Sequence, residues 1–431
     1  MQKRDTLLAP SQSFQLLLHC VRASLERARM KPAPPVERWL LATMLAGLAM
    51  MGPFSIDTYL PSFPAIRADF GISVLQVQQT LSLYLLTFAL MMLFHGTLSD
   101  SFGRRPVILV SLVIFVGTSL GCAAAHQFEQ LLLFRALQGL SAGAGMVVGR
   151  AIIRDSLEGH AAQRLMALVT LIFGVAPVIA PVVGGWLQQW FGWRSIFVFL
   201  AVYGAALLAL CYARLPETLP DTRRQPFALA PLARNYVTLG SNVPLLLLCA
   251  AVALNFSGFF IYIVSAPAFV YNLLKLGQTQ FAWLFLPGIA GVMLGAFMSG
   301  RTAGHLTSRQ TVQIAYGIMA SAASFNVIYS AAAEPALPWS VLPIMVYTTG
   351  MALAMPSLTL LALELFPQNR GMTASLQGFG QHLLAVVTAG VLSPLLSHSD
   401  ITLALGMVVP MALGWGAWMV YLHRYAEMRH A

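Results

Sequence analysis

The sequence predicts an all-α membrane protein with twelve transmembrane helices in two six-helix halves. Three observations predict it. First, the 431 residues are 58% hydrophobic, with only 9% charged and a mean hydropathy of +0.74. A soluble domain carries about 25% charged residues, so this chain cannot cover itself with a polar surface and suits a solvent that is mostly lipid. Second, twelve separate stretches reach the ~20 apolar residues that cross a hydrocarbon core. Third, one long polar, proline-containing segment lies near the middle of the chain and divides the spans six and six.

Taken in order, the spans are roughly 39–60, 76–97, 106–125, 129–152, 164–188, 194–213, 244–267, 281–300, 311–331, 338–363, 372–396 and 401–423. Most links between them are short. The long one runs from about Arg214 to Val243 and contains Pro216, Pro220, Pro226 and Pro231, which reads as a linker between halves. The first spans of the two halves begin near Trp39 and Pro244, and this offset of about 205 residues suggests an internal duplication. The expected division is therefore a basic tail 1–38, a bundle 39–213, a linker 214–243, a second bundle 244–424 and a short tail 425–431.

Lys and Arg set the orientation, because cytoplasmic loops carry their excess. With the N-terminus inside, 21 of the 25 basic residues fall in inner segments. Three fall outside (Arg67, Arg194, Lys275), and Arg135 lies within a span. Both ends are thus expected in the cytoplasm. The same placement accounts for the formal net charge of +10, so no nucleic-acid partner is called for. In the tail, Phe14, Leu17, Leu18, Val21 and Leu25 repeat at helical spacing beside Arg22 and Arg29. That pattern fits a basic amphipathic helix on the inner surface; the alternatives are a disordered tail or a mis-assigned start, with Met30 as the true initiator. Its apolar run is short and no A-x-A site follows, so it does not read as a cleaved signal. The cysteines Cys20, Cys122, Cys211 and Cys249 are scattered, with neither a disulfide framework nor a metal cluster visible.

Almost every charge sits in a loop or at a span end. Asp57, toward the outer end of span 1, and Arg135, one or two turns into span 4, do not. A charge in the membrane costs ~3 kcal/mol or more, so such residues face a cavity or a partner. The two lie at comparable depth, which suggests either a fixed pair tying span 1 to span 4 or a proton-coupling pair. An adjacent arginine lowers a carboxylate's proton affinity and desolvation raises it, so a conformational change that alters either term moves a proton. His382 in span 11 is another ionisable candidate, or a packing residue. Gln138, Asn255 and Gln377 could line a cavity or bond between helices. Tyr59, Tyr84, Phe88, Phe256, Phe259 and Tyr262 could form its aromatic wall, although helix packing explains any one of them.

Between spans 2 and 3 the chain reads Gly96-Thr97-Leu98-Ser99-Asp100-Ser101-Phe102-Gly103-Arg104-Arg105-Pro106. This resembles the major facilitator signature G-x-L-a-D-r-x-G-r-r/k, with Ser101 replacing a basic residue. Asp100 is expected to accept from Arg104 and from the N-terminus of span 3. Arg154-Asp155 looks like the partner of this cluster, which would latch one conformation, the outward-facing one. Ser55-Ile56-Asp57-Thr58-Tyr59-Leu60-Pro61 is similar to the S-x-D-M-Y-L-P of bicyclomycin- and chloramphenicol-resistance (Bcr/CflA) exporters, with Thr58 in place of methionine. Arg135-Ala136-Leu137-Gln138-Gly139 resembles the facilitator R-x-x-q-G. In span 5, Pro177 and then Ala180-Pro181-Val182-Val183-Gly184-Gly185 are similar to the antiporter motif G-P-x-x-G-G, with Ala180 where many antiporters have glycine. Proline and small residues would let this segment bend or seal. Together these matches cover about residues 39–425.

The resemblance implies the major facilitator fold, two six-helix bundles rocking around a central cavity. It further implies proton-coupled efflux of small amphiphilic drugs, chloramphenicol- or bicyclomycin-like, across a bacterial inner membrane. Asp57 would carry the proton, no cofactor beyond the coupling ion would be needed, and the chain would work as a monomer. A facilitator for an endogenous metabolite would share the fold. An enzyme would need nucleophilic or acid/base groups clustered at one membrane face, and a receptor would need an extra domain; neither is evident.

Overall fold

The computed structural model describes residues 38–157 and 159–426. The expectations for the tail, including the start at Met30, lie outside the described residues. Twelve helices are long and apolar enough to cross a membrane. In the first half these are Trp39–Phe70, Val74–Phe102, Arg104–Ala123, Phe128–Ser156, Arg164–Phe191 and Arg194–Arg214. In the second they are Val243–Val264, Ala282–Thr302, Ser308–Ala332, Leu342–Leu365, Pro367–Leu396 and Asp400–Tyr425. The fold is all-helical, as the composition requires: in lipid each backbone N–H and C=O must be satisfied within its own segment. Leu120, Leu133, Val202, Ile328 and Leu413 are each more than half exposed on the outside of the bundles, where lipid would cover them.

The same pairings recur in the two halves. Span 1 packs on 5, 2 on 4, and 3 on 4 and 6; in the second half, 7 packs on 11, 8 on 10, and 9 on 10 and 12. The bundles meet along spans 2 and 11 and along spans 5 and 8.

Four features depart from a picture of plain helices. The helix of span 1 stops at Asp57, passes through a 3-10 turn at Leu60–Ser62 and restarts at Phe63–Phe70. Pro61 and Pro64 stand in the first turns of those pieces, where a missing N–H costs nothing. Span 4 is broken between Phe128–Ala142 and Ala144–Ser156. Span 11 contains a π-helical turn at Thr388–Leu392, a form that often marks functional positions. The linker is more than a tether: it holds an amphipathic helix, Leu229–Gly240. Pro231 falls in its first turn, where proline is tolerated. Tyr236 on this helix donates a hydrogen bond to the Leu93 carbonyl (3.0 Å), and burial pushes its hydroxyl above the usual phenol range, with Ser375 beside it acting the other way.

The twelve crossings bring both described ends and the linker to one face, here the linker face. There a cavity of about 1390 Å³ opens between the bundles. At the far face the bundles touch.

Candidate functional site

The far face is closed by contacts between the bundles. Tyr271 Oη donates to the Pro61 carbonyl (2.8 Å). Gln78 Nε2 donates to Ser393 Oγ (2.7 Å), which in turn shares a hydrogen bond with Ser265 Oγ (2.8 Å). A shallower cleft of about 730 Å³ lies beside these contacts. Span 5 supplies the closest approach. A Cβ added at Gly185 would lie 2.3 Å from the Gln278 carbonyl oxygen, in the opposite bundle. A Cβ added at Gly184 would lie 2.1 Å from the Thr58 carbonyl oxygen, in its own bundle. The helix Gly159–Phe191 runs continuously through Pro177 and Pro181. Of the two adjacent glycines, Gly184 thus packs against its own bundle and Gly185 against the opposite one.

Thr58 follows Asp57, so the Gly184 contact bears directly on the segment that carries the buried acid. Asp57 is 5% exposed. Its carboxylate carries no hydrogen bond or ion pair among the described residues. Neighbouring hydroxyls turn back onto their own helix instead: Ser55 to the Met51 carbonyl (2.7 Å) and Thr58 to the Phe54 carbonyl (2.5 Å).

Arg135 does not pair with Asp57 in this structure. It is fully buried and sits in an aromatic cage, its guanidinium carbon 4.7 Å from the Tyr59 ring centre and 4.3 Å from that of Tyr84. Cation–π contacts of this kind contribute about 2 kcal/mol when desolvated. Nη1 donates to Gln138 Oε1 (2.5 Å), and Gln138 Nε2 donates to Ser119 Oγ (2.8 Å). Arg135 Nε and Nη2 have no acceptor among the described residues. Tyr84 lies within electrostatic reach of both Arg135 and Asp57. Equal depth put the acid and the base in the same layer; lateral placement separates them by the aromatic rings.

The signature loop forms a network on the linker face. Arg104, 3% exposed, donates through Nη1 to Asp100 Oδ1 and Ser99 Oγ (2.7 Å) and through Nε to Asp155 Oδ2 (2.9 Å). The N-terminus of span 3 is capped by Glu217 and not by Asp100. Glu217 accepts from the backbone N–H of Arg104 (3.0 Å) and of Arg105 (3.2 Å). Glu217 lies beyond span 6, so sequence spacing gave no reason to bring it here. Gly103 adopts φ +98°, and a Cβ there would lie 2.4 Å from Glu217 Oε2. Asp155 joins the network; Arg154 does not, and instead lines the cavity. With the linker face open, the members of this network come from the first bundle and the linker.

The ten residues expected to line a substrate cavity are placed elsewhere. Tyr59, Tyr84 and Gln138 build the arginine cage. Asn255 donates to Tyr316 Oη (3.0 Å), and Tyr262 accepts from Asn326 (2.7 Å), inside the second bundle. Gln377 donates to Thr359 Oγ1 (2.8 Å). Phe256 packs against Phe259 and Phe260. Phe88 and His382 meet across the two bundles with ring centres 4.9 Å apart and planes tilted by 37°, one helical turn beyond Met92, which lines the cavity. Apart from the Phe88–His382 contact between the bundles, these residues pack within the bundles. The open cavity is walled by Met92, Met146, Met166, Met293 and Met372, with Gly96, Arg150 and Arg370. The sequence reading also passed over two buried ionisable groups. His95 in span 2 is 1% exposed with Nδ1 unpartnered, and Asp400, at the start of span 12, accepts from Ser330 Oγ (2.8 Å). His95 stands inside an apolar run and could have been found by the test that found Asp57.

Comparison with known proteins gives the family. Residues 40–389 match the family model described as Major Facilitator Superfamily. The "Uncharacterized MFS-type transporter YdgK" of Bacillus subtilis is 31% identical over 370 residues, 85% of this chain and 90% of that one. The "Bicyclomycin resistance protein homolog" of Haemophilus influenzae is 30% identical over 271 residues, 63% of this chain and 68% of that one. "Multidrug resistance protein MdtL" of Klebsiella pneumoniae is 37% identical over 188 residues, 44% of this chain and about half (47%) of that one. Among solved structures, the human organic anion transporter MFSD10 superposes with a TM-score of 0.65 at 17% identity, covering 88% of this chain and all of that one. At that identity the likeness speaks for the fold alone. The chain is a membrane transporter and belongs to the Major Facilitator Superfamily, with named relatives in its bicyclomycin- and multidrug-resistance branch.

Proposed function

We propose that this transporter exports small amphiphilic drugs, chloramphenicol- or bicyclomycin-like, across a bacterial inner membrane in exchange for protons, working as a monomer with both ends in the cytoplasm. The orientation rests on the 21-to-three split of basic residues. It makes the open cavity cytoplasmic, so the structure corresponds to the state that loads drug from inside. The drug-resistance names of the relatives support the substrate class.

One observation carries the coupling: the adjacent glycines of span 5. Gly184 holds the backbone beside Asp57, and Gly185 holds the outer seal against Gln278. Opening the outer face must part Gly185 from Gln278, and that motion is transmitted through the next residue to the segment bearing the acid. In the sealed state Asp57 is buried and has no ion pair among the described residues. Opening admits water, and a rearrangement of the Tyr59–Tyr84 cage would let the unpaired donors of Arg135 reach the ionised carboxylate. A proton taken up from outside then neutralises Asp57 and favours resealing. The membrane potential supplies ~2.3 kcal/mol per charge per 100 mV, with the pH gradient in addition.

The test uses proteoliposomes with an inside-acid gradient and a dye for lumen pH. Addition of a substrate drug should alkalinise the lumen while the drug accumulates. Asp57→Asn should lose both, yet still equilibrate drug down its own gradient and keep its melting temperature. Unchanged pH-driven accumulation by Asp57→Asn would remove Asp57 as the carrier. Drug movement indifferent to the gradient in the unaltered protein would favour a metabolite facilitator with this fold.

A further inference from the structure

The positive-inside rule accounts for basic residues at the inner ends of spans, but not for what those that face the cavity hold. Span 4 ends at Ser156. Arg150 is six residues before that end, about 9 Å along the helix at 1.5 Å per residue, and it lines the cavity with its side chain exposed there. Arg370 lines the same cavity from the second bundle. Neither has a hydrogen bond or ion pair among the described residues. Of the other charged residues lining the cavity, Arg104 is committed to Asp100 and Asp155, and Asp100, the acid in the wall, is committed to Arg104. The cavity therefore presents net positive charge at its cytoplasmic end. Its remaining wall includes five methionines, unbranched and polarisable side chains that adapt to varied apolar shapes.

We infer that Arg150 and Arg370 bind the anionic head of an amphiphile whose apolar body lies along the methionines. This rests on the reading of the cavity as the drug path and extends it: beside neutral drugs the transporter takes acid-bearing amphiphiles, and binds them more tightly than neutral ones of the same shape. An unpaired guanidinium in a confined site binds carboxylate and other oxyanions through two parallel N–H donors. Two such groups from opposite bundles would also draw the bundles together around the ligand. The same chemistry recognises the head group of an anionic phospholipid, so the source of the anion has to be separated experimentally.

The probes are 4-phenylbutyrate and its amide, 4-phenylbutyramide, titrated calorimetrically into the purified full-length protein in phosphatidylcholine nanodiscs. The carboxylate should bind about tenfold more tightly. Arg150→Gln and Arg370→Gln should each shrink that ratio, and together bring it close to one without weakening the amide, while Arg150→Lys should retain most of it. Repeating the titration with phosphatidylglycerol present identifies the source. Unchanged carboxylate binding assigns the site to substrate; competition by the lipid in the unaltered protein, absent in Arg150→Gln, assigns it to a head group. Equal affinity for acid and amide, no binding of either, or a preference that survives the double substitution overturns the anion site. Proton-coupled export of a neutral drug, measured on the same preparation, keeps the two readings apart. If it persists without a carboxylate preference, only the anion site falls; if it is absent as well, the export reading falls with it.

Discussion

Replacing Gly185 by alanine tests whether the glycine pair works as proposed. The new Cβ would meet the Gln278 carbonyl oxygen at 2.3 Å, where ordinary contact begins near 3.4 Å. The two backbones must therefore part by about 1 Å. Overpacking of this kind costs about 1–3 kcal/mol. Because Gly185 and Gln278 belong to opposite bundles, the cost falls only on the state with the outer face sealed. The equilibrium should then move toward the outward-open state by a factor of about 5 to 150. Spin labels at Arg67→Cys and Lys275→Cys, in a background with the native cysteines replaced by serine, report the outer opening by double electron–electron resonance. Gly185→Ala should enrich the long-distance population. Gly184→Ala provides the contrast: its clash with Thr58, 2.1 Å, lies within one bundle and persists in both states. It should lower thermal stability and leave the distance distribution in place. An unchanged distribution in Gly185→Ala, or an equal shift in Gly184→Ala, would refute the division of labour between the two glycines.

Three more expectations follow from the structure. Gly103→Ala combines a left-handed φ of +98° with a Cβ 2.4 Å from Glu217, and should cost about 1–3 kcal/mol of stability, read as a lower melting temperature in detergent. Gln138→Leu removes the acceptor of Arg135 Nη1 while leaving the aromatic cage, and should cost about 1–3 kcal/mol; a neutral result in thermal unfolding would mean the cage alone satisfies the arginine. Thr222→Cys in the linker should react with an impermeant maleimide only from the cytoplasmic side of oriented vesicles, and labelling from the outer side of intact cells would invert the orientation.

What was legible in the sequence is what lipid dictates. Each span announces itself because twenty apolar residues have no other stable home, and the linker was visible as the one long interruption. The linker's helix was missed because four prolines dominate its surroundings, though Pro231 falls where a helix accepts it. Span 1 was expected to end near residue 60, yet helical structure resumes at Phe63 because prolines suit first turns. Charge inside an apolar span located Asp57 and Arg135, and motif resemblance the glycine pair, but depth along a helix says nothing of azimuth. The expected Asp57–Arg135 contact failed on that point, since the guanidinium turns between Tyr59 and Tyr84. The Glu217 cap and the Gly185–Gln278 seal join residues more than 90 positions apart, in segments with no shared pattern. The open cavity is lined by other residues than the aromatic and amide side chains expected there, five methionines among them, because methionine in an apolar span is indistinguishable from ordinary core.

That separation has an evolutionary consequence. The methionines and arginines of the wall form a set distinct from the arginine cage and the glycine seal. Substitutions in the wall can therefore retune which compounds enter while the energy-converting parts stay as they are. A lineage meeting a new toxin could change its clientele one side chain at a time and keep a working engine throughout.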